Sequence, residues 1–158
     1  MDVRIGQGID IHPFVTGRPL VLGGVTIPHS KGLAGHSDAD ALSHAICDAL
    51  LGTLAFGDIG THFPDKDPAN RNRPSSDFLK HAVDLIEHEG WEIANIDATI
   101  VTEEPTLRPY IEGMRRSLAE ILGIFPDQVS VKATRPEKLG SLGRGEGLTA
   151  MAIALIER

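Results

Sequence analysis

Two short stretches hold side chains able to bind a divalent metal: Asp10-x-His12 near the N-terminus, and His36-Ser37-Asp38-x-Asp40 running on to His44. Zinc at a catalytic site takes three protein ligands and keeps one open position, where a substrate oxygen would sit. Asp10, His12 and His44 make such an Asp-His-His set if the fold brings them together. Around the first pair, Ile5, Ile9 and Ile11 alternate with Gly6, Gly8, Asp10 and His12. That period of two reads as a strand, with Asp10 and His12 on the face opposite the isoleucines. In the second stretch Ser37, followed three residues later by Asp40, resembles a helix N-cap. Ala41, Leu42, Ala45, Ile46, Ala49 and Leu50 then recur at helical spacing. Asp40, His44 and Asp48 share the polar stripe of that helix, and the metal set forms if the stripe faces the end of the strand. Spacing alone leaves a second reading open, because Asp-x-His is a common pair and a lone helical histidine is usually a surface or hydrogen-bonded residue.

The elements that must position these residues belong to a chain of 158 residues, which fits a single domain, 1–158, with a core of its own. A hydrophobic fraction of 41% suits a globular protein. Aromatics make up only 4%, with one Trp and one Tyr, too few for a platform that stacks bases. The formal charge of -7 also argues against a general binder of nucleic-acid backbones. An anionic ligand must be held locally, by a metal, by backbone amides or by a few Lys and Arg. Cys47 is the only cysteine, which excludes a disulfide scaffold and a Cys-based zinc site, and it reads as a small buried hydrophobe. The N-terminal residues enter strand pattern without the basic and apolar regions of a secretory signal. No apolar run approaches the ~20 residues of a membrane span, so a cytoplasmic protein, or a mature chain after import, is expected.

Along the chain, Leu20–Leu22 and Val25–Ile27 flank Gly23-Gly24, a hairpin signal. Residues 57–74 hold Gly, Pro, Asp and Asn without apolar periodicity and read as a long polar loop of the functional or mobile kind. Ser75-Ser76-Asp77 reads as the cap of a second helix with Phe78, Ala82, Leu85 and Ile86 inward and Gly90 as its stop. Trp91 to Thr102 reads as a strand. A third helix starts near Pro109 and carries Ile111, Met114, Leu118, Ile121 and Leu122 before Gly123. Gln128–Thr134 and Leu148–Ile156 read as two more strands. Helices and strands mix without strict alternation, which predicts an α+β fold, a mixed β-sheet with helices packed on one face.

Taken together, GQGIDIH (6–12), HSDADALSH (36–44), GDIGTHFPDKDP (57–68), KATRPEKLG (132–140) and GRGEG (143–147) resemble, in order and spacing, the 2-C-methyl-D-erythritol 2,4-cyclodiphosphate synthases. The likeness spans nearly the whole chain. It implies a homotrimer with active sites at subunit interfaces, and a metal-dependent phosphorus–oxygen lyase of the non-mevalonate isoprenoid pathway. The implied substrate is 4-diphosphocytidyl-2-C-methyl-D-erythritol 2-phosphate, whose 2-phosphate attacks the β-phosphorus, closes the ring and expels CMP. Nucleophile and electrophile then belong to one molecule, so the enzyme mainly folds the substrate and neutralises charge.

By the same resemblance Asp10, His12 and His44 hold zinc or another divalent transition metal, with a β-phosphate oxygen in the open position, and Mg2+ or Mn2+ bridges the α and β phosphates. His36 and Ser37 fall to the phosphate region, with His36 as a transition-state stabiliser. Asp58, Ile59 and Gly60, with Phe63, Pro64, Asp65, Lys66 and Asp67, fall to the methylerythritol part. Thr102, Glu103, Glu104, Pro105, Thr106, Leu107 and Arg108, with Thr134, Arg135, Pro136 and Glu137, fall to a cytidine and diphosphate pocket lent by a neighbouring subunit.

This sequence departs from the family pattern at several positions. Arg135 and Pro136 follow Thr134, where a second Thr commonly assists the diphosphate. A guanidinium suits phosphate geometry, so Arg135 either takes over that catalytic contact or points to solvent. Thr106 stands where a Lys is common. Ser141 stands where an aromatic residue often lies near a cavity on the trimer axis, in which the resemblance suggests an isoprenoid diphosphate held through Arg144. Two other readings compete: a metal-dependent phosphohydrolase of nucleotide diphosphates, since an open metal position activates water equally well, and a non-catalytic trimeric binding protein.

Overall fold

The glycines of the first strand decide how the domain packs. In the computed structural model, which describes residues 1–158, β1 (Val3–Thr16) turns Gly6 and Gly8 inward. A Cβ at Gly8 would stand 1.9 Å from the Ala45 carbonyl oxygen, and one at Gly6 2.0 Å from that of Ala49. Only glycine lets a helix lie this close to a strand. The period of two predicted for β1 is present. Ile5, Ile9 and Ile11, however, point away from the core and are 68%, 51% and 64% exposed, so the face of glycines, Asp10 and His12 is the packed one.

β2 (Leu20–Leu22) and β3 (Val25–Ile27) form the predicted hairpin about Gly23 and Gly24, whose φ values of +58° and +75° meet the demand of a type I′ turn. The short β4 (Lys31–Leu33) pairs antiparallel with the end of β1. The helix that follows, α1 (Ala41–Thr53), is capped by Asp40 and not by Ser37. The Ser37 hydroxyl is engaged elsewhere, accepting from the Ala39 N–H at 3.2 Å. Asp40 also leaves the polar stripe assigned to it. Its buried carboxylate accepts from Ser43 N and Oγ and from Gly23 N and Gly24 N, at 2.8–3.0 Å, tying the helix start to the hairpin turn. Burial pushes its pKa up against the pull of these donors.

The segment read as a loop contains α2 (Ile59–His62) and a 3-10 turn at Pro68–Asn70. Side-chain caps start both without apolar periodicity: Asp58 accepts from Thr61 N, and Asp67 from Ala69 N, each at 2.9 Å. α3 (Ser75–His88) begins after Pro74, so Ser75 lies in its first turn and is not its cap. β5 (Glu92–Val101), α4 (Ile111–Leu122) and β6 (Val129–Thr134) lie where the pattern predicts. The short α5 (Gly140–Gly143), absent from the sequence reading, precedes the last strand, β7 (Gly147–Glu157).

The five-stranded sheet runs β4-β1-β7-β5-β6, antiparallel except for β5 and β6, which are parallel and joined across α4. The helices pack on one face over a core that includes Leu42, Ile46, Leu50, Leu79, Ile96 and Ile100. The fold is therefore the mixed α+β type expected, with helices on one face. The other face, where Ile5, Ile9, Ile11 and Ile153 stand exposed, carries no helix in the single chain. No helix is long and apolar enough to cross a membrane.

Candidate active site

The close seat of α1 on β1 brings His44 to Asp10 and His12. Asp10 Oδ2 lies 2.7 Å from His12 Nε2 and 3.0 Å from His44 Nδ1, and the donor atoms of the three residues stand within 4.8 Å of one another. Hydrogen bonds on the far side of each ring settle which nitrogen is bare. His12 Nδ1 is 2.7 Å from the Ala34 carbonyl, an acceptor only, so Nδ1 carries the proton. His12 Nε2 is a buried nitrogen with no aligned hydrogen-bond partner, despite its closeness to Asp10. On the other ring, the Ser75 hydroxyl donates to Asp38 Oδ1 and so accepts from His44 Nε2 at 2.8 Å, which leaves His44 Nδ1 as the lone pair facing Asp10. Two imidazole lone pairs and a carboxylate oxygen thus converge, each ring oriented by an outer partner as metal-bound histidines are. The residues present fit a divalent metal.

Electrostatics agree with the geometry. Burial alone would raise the Asp10 pKa, but the hydrogen bonds and charges of His12 and His44 outweigh it and bring it down to about 2. Burial likewise pulls on His12, yet the Asp10 carboxylate holds that imidazole above the ordinary histidine range. A cation arriving here finds its carboxylate already ionised and competes with the proton that Asp10 favours on His12.

The metal set opens into a cleft of about 320 Å³ that gathers His36, Ser37, Asp58, Ile59, Gly60, Phe63 and Asp65 around Asp10, His12 and His44. His36 is exposed at its mouth, while Ser37 is buried with Oγ 3.1 Å from His44 Nε2. Arg18 clamps this loop by donating to the carbonyls of Gly35 and Ser37, both at 2.6 Å. Asp48, one turn beyond His44, accepts from Ile59 N at 2.8 Å and anchors the start of α2. Pro64, Lys66 and Asp67 lie along the same segment but do not line the cleft, and Asp67 is spent on its cap. The sequence reading missed Arg18, the Ala34 carbonyl and the Asp38–Ser75 pair. Asp38 lies inside the HSDAD block, but its partner is 37 residues further on and no local spacing reveals it.

The remaining candidates lie elsewhere. Thr102, Pro105, Thr106, Leu107, Arg108, Thr134 and Arg135 line a separate hollow of about 180 Å³ where β5 and β6 end, sharing no residue with the cleft. There Arg135 Nη2 donates to Thr106 Oγ1 at 2.9 Å. Glu103, Glu104 and Arg144 border a third hollow with Phe14, His29 and Lys31, and Arg144 is paired with Glu146 at 3.2 Å. Ser141, Pro136 and Glu137 line none of these, and Cys47 is buried, its thiol pushed up by that burial.

Fold and site together define an α+β domain with a candidate divalent-metal centre at the junction of its first strand and first helix. The chain belongs to the YgbB family, whose sequence model matches residues 3–157. It is 55% identical over 157 residues to a 2-C-methyl-D-erythritol 2,4-cyclodiphosphate synthase of Laribacter hongkongensis, covering 99% of this chain and 97% of that one. The solved structure of a bifunctional IspDF from Campylobacter jejuni superposes with a TM-score of 0.94 at 38% identity over 98% of this chain, which spans 42% of that longer protein. A CDP complex of IspF from Plasmodium falciparum superposes with a TM-score of 0.86 at 34% identity, covering 98% of this chain and 95% of that one.

Proposed function

We propose that this chain is a 2-C-methyl-D-erythritol 2,4-cyclodiphosphate synthase, closing 4-diphosphocytidyl-2-C-methyl-D-erythritol 2-phosphate into the cyclic diphosphate with release of CMP. One P–O bond forms, from the 2-phosphate oxygen to the β-phosphorus, and one breaks, between that phosphorus and the oxygen that leaves with CMP. The observation that carries the reading is the convergence of Asp10 Oδ2, His12 Nε2 and His44 Nδ1 beside the cleft, in a chain that is 55% identical to a synthase of this name. A divalent metal held there, zinc or another transition metal, supplies Lewis-acid polarisation of a phosphoryl oxygen and offsets its charge.

The chain's own residues account for the rest. The attacking phosphate is already an anion, so the site needs no general base and must hold two anionic groups in contact. His36 at the cleft mouth donates to the phosphoryl oxygens as charge builds on them, and Ser37 fixes the loop beside it. The backbone and carboxylate of Asp58, with Ile59 and Gly60, take the hydroxyls of the methylerythritol. Mg2+ or Mn2+ on the diphosphate belongs to the same reading.

The cytidine part needs a second chain. The hollow at Thr106 and Arg135 is separate from the cleft, and the sheet face of Ile5, Ile9, Ile11 and Ile153 is uncovered; a homotrimer closing on that face joins the hollow of one subunit to the cleft of the next. The CDP complex of the Plasmodium relative supports a cytidine diphosphate ligand. In this chain Arg135, steadied by Thr106, offers the diphosphate a guanidinium. ³¹P NMR of the protein with the cytidine diphosphate substrate and Mg2+ tests the reaction: a cyclic diphosphate with CMP, lost on chelation, is expected. A linear bisphosphate would show a hydrolase, and no turnover a binding protein.

A further inference from the structure

On the outer wall of the cleft, the last residue of α2 meets α3: His81 Nε2 lies 3.0 Å from His62 Nδ1, with the ring centroids 5.0 Å apart. His62 Nε2 donates to the Phe56 carbonyl at 2.9 Å, and a carbonyl only accepts, so His62 Nδ1 is a bare lone pair aimed at His81. Two ring nitrogens this close must share a proton or a cation. We propose that His62 and His81 form a second site for a divalent transition metal, apart from Asp10, His12 and His44, that fastens α2 to α3.

Two nitrogens on one tetrahedral zinc, at bond lengths of about 2.0–2.1 Å, stand roughly 3.3 Å apart. The observed pair needs to open by only a few tenths of an ångström. The carbonyl behind His62 is the outer partner that sets the tautomer of a metal-bound imidazole. His81, which donates from Nε2 in the pair, moves its proton to Nδ1, free of protein partners, when Nε2 turns to the metal. Both rings are half-buried, which leaves water to complete the coordination. Burial and the neighbouring His62, with Arg73, hold His81 below the ordinary histidine range against the pull of Asp84, which favours the neutral ring that ligation requires. Arg73 itself is committed to Asp77 and Asn70.

The position gives such a site a consequence. Phe63, which lines the cleft, stacks edge-on against His81 at 5.0 Å, so a metal across the histidine pair would fix the wall from Asp58 to Phe63. Titrating the full-length protein with Zn2+ against a competing chromophoric chelator, with hydrogen exchange of amides 57–63 followed in parallel, tests this. Wild type takes two equivalents per chain, and the second raises protection of those amides. His81→Gln, a surface change that keeps helix propensity, and His62→Gln each take one equivalent, while His44→Ala keeps the histidine-pair site. A wild-type chain that takes one equivalent, a His81→Gln chain that takes two, or amides whose protection does not respond overturns the proposal.

Discussion

The cleft at Asp10, His12 and His44 and the hollow at Thr106 and Arg135 are built in opposite ways. The first is made of side chains on a strand and a helix pressed together at two glycines, and each imidazole is oriented by a second group: the Ala34 carbonyl behind His12, and Ser75 with Asp38 behind His44. The second lies at the open ends of β5 and β6, with Thr106, Arg108 and Arg135 exposed and a hydrogen bond from Arg135 to Thr106 bridging its two strand ends. A metal centre must be right within one chain before anything binds, because its ligands have no freedom to search. The hollow proposed for the nucleotide has no such shell of orienting groups, and in the proposed trimer a neighbour finishes it.

Variants can break this contrast or sharpen it. His44→Ala is expected to abolish turnover while the circular dichroism and thermal transition stay close to wild type; unchanged kcat would remove His44 from the metal set. Next, Ile9→Asp, on the uncovered face, is expected to split the assembly in sedimentation and to lower activity by more than a hundredfold, while each chain still binds one zinc at Asp10, His12 and His44. A monomer with full activity would show that the hollow of a second chain is not needed. Ser75→Ala removes the nearer of the two hydroxyls at His44 Nε2 and should weaken zinc affinity by about 10–100-fold, with Ser75→Thr restoring most of it. Arg135→Thr, the smallest, is expected to lower kcat/KM by less than about tenfold, about 1.4 kcal/mol. A hundredfold loss would make Arg135 a residue adapted to the reaction.

The two regions also differ in how far the sequence revealed them. Asp10, His12 and His44 were legible because strand and helix periods place donors on defined faces. Which face of β1 is buried was not, since Ile5, Ile9 and Ile11 look like core until the depth of the contact at Gly6 and Gly8 is known. Ser37 and Asp40 both qualify as caps by type. The choice fell to Asp40 because the Gly23-Gly24 turn, distant in sequence, supplies two more donors to the same carboxylate. Ser75 was misread as a cap for the same reason, its hydroxyl being committed to Asp38 and His44. The hollow had no periodic or donor signal at all: only the resemblance to a family drew Thr102–Arg108 and Thr134–Glu137 together, and the parallel pairing of β5 with β6 is what makes them neighbours.

The claim that one chain's metal cleft works with another chain's hollow is tested most directly by complementation. His44→Ala disables the cleft, and Thr106→Trp, at an exposed position, fills the hollow, so each variant alone should be inactive. Co-expressed in equal amounts, they should assemble at random, and about a quarter of the interface sites in a cyclic trimer would then pair an intact cleft with an intact hollow. The expected result is recovery of about that fraction of wild-type CMP release. Mixed assemblies no more active than either parent would contradict a site shared between subunits.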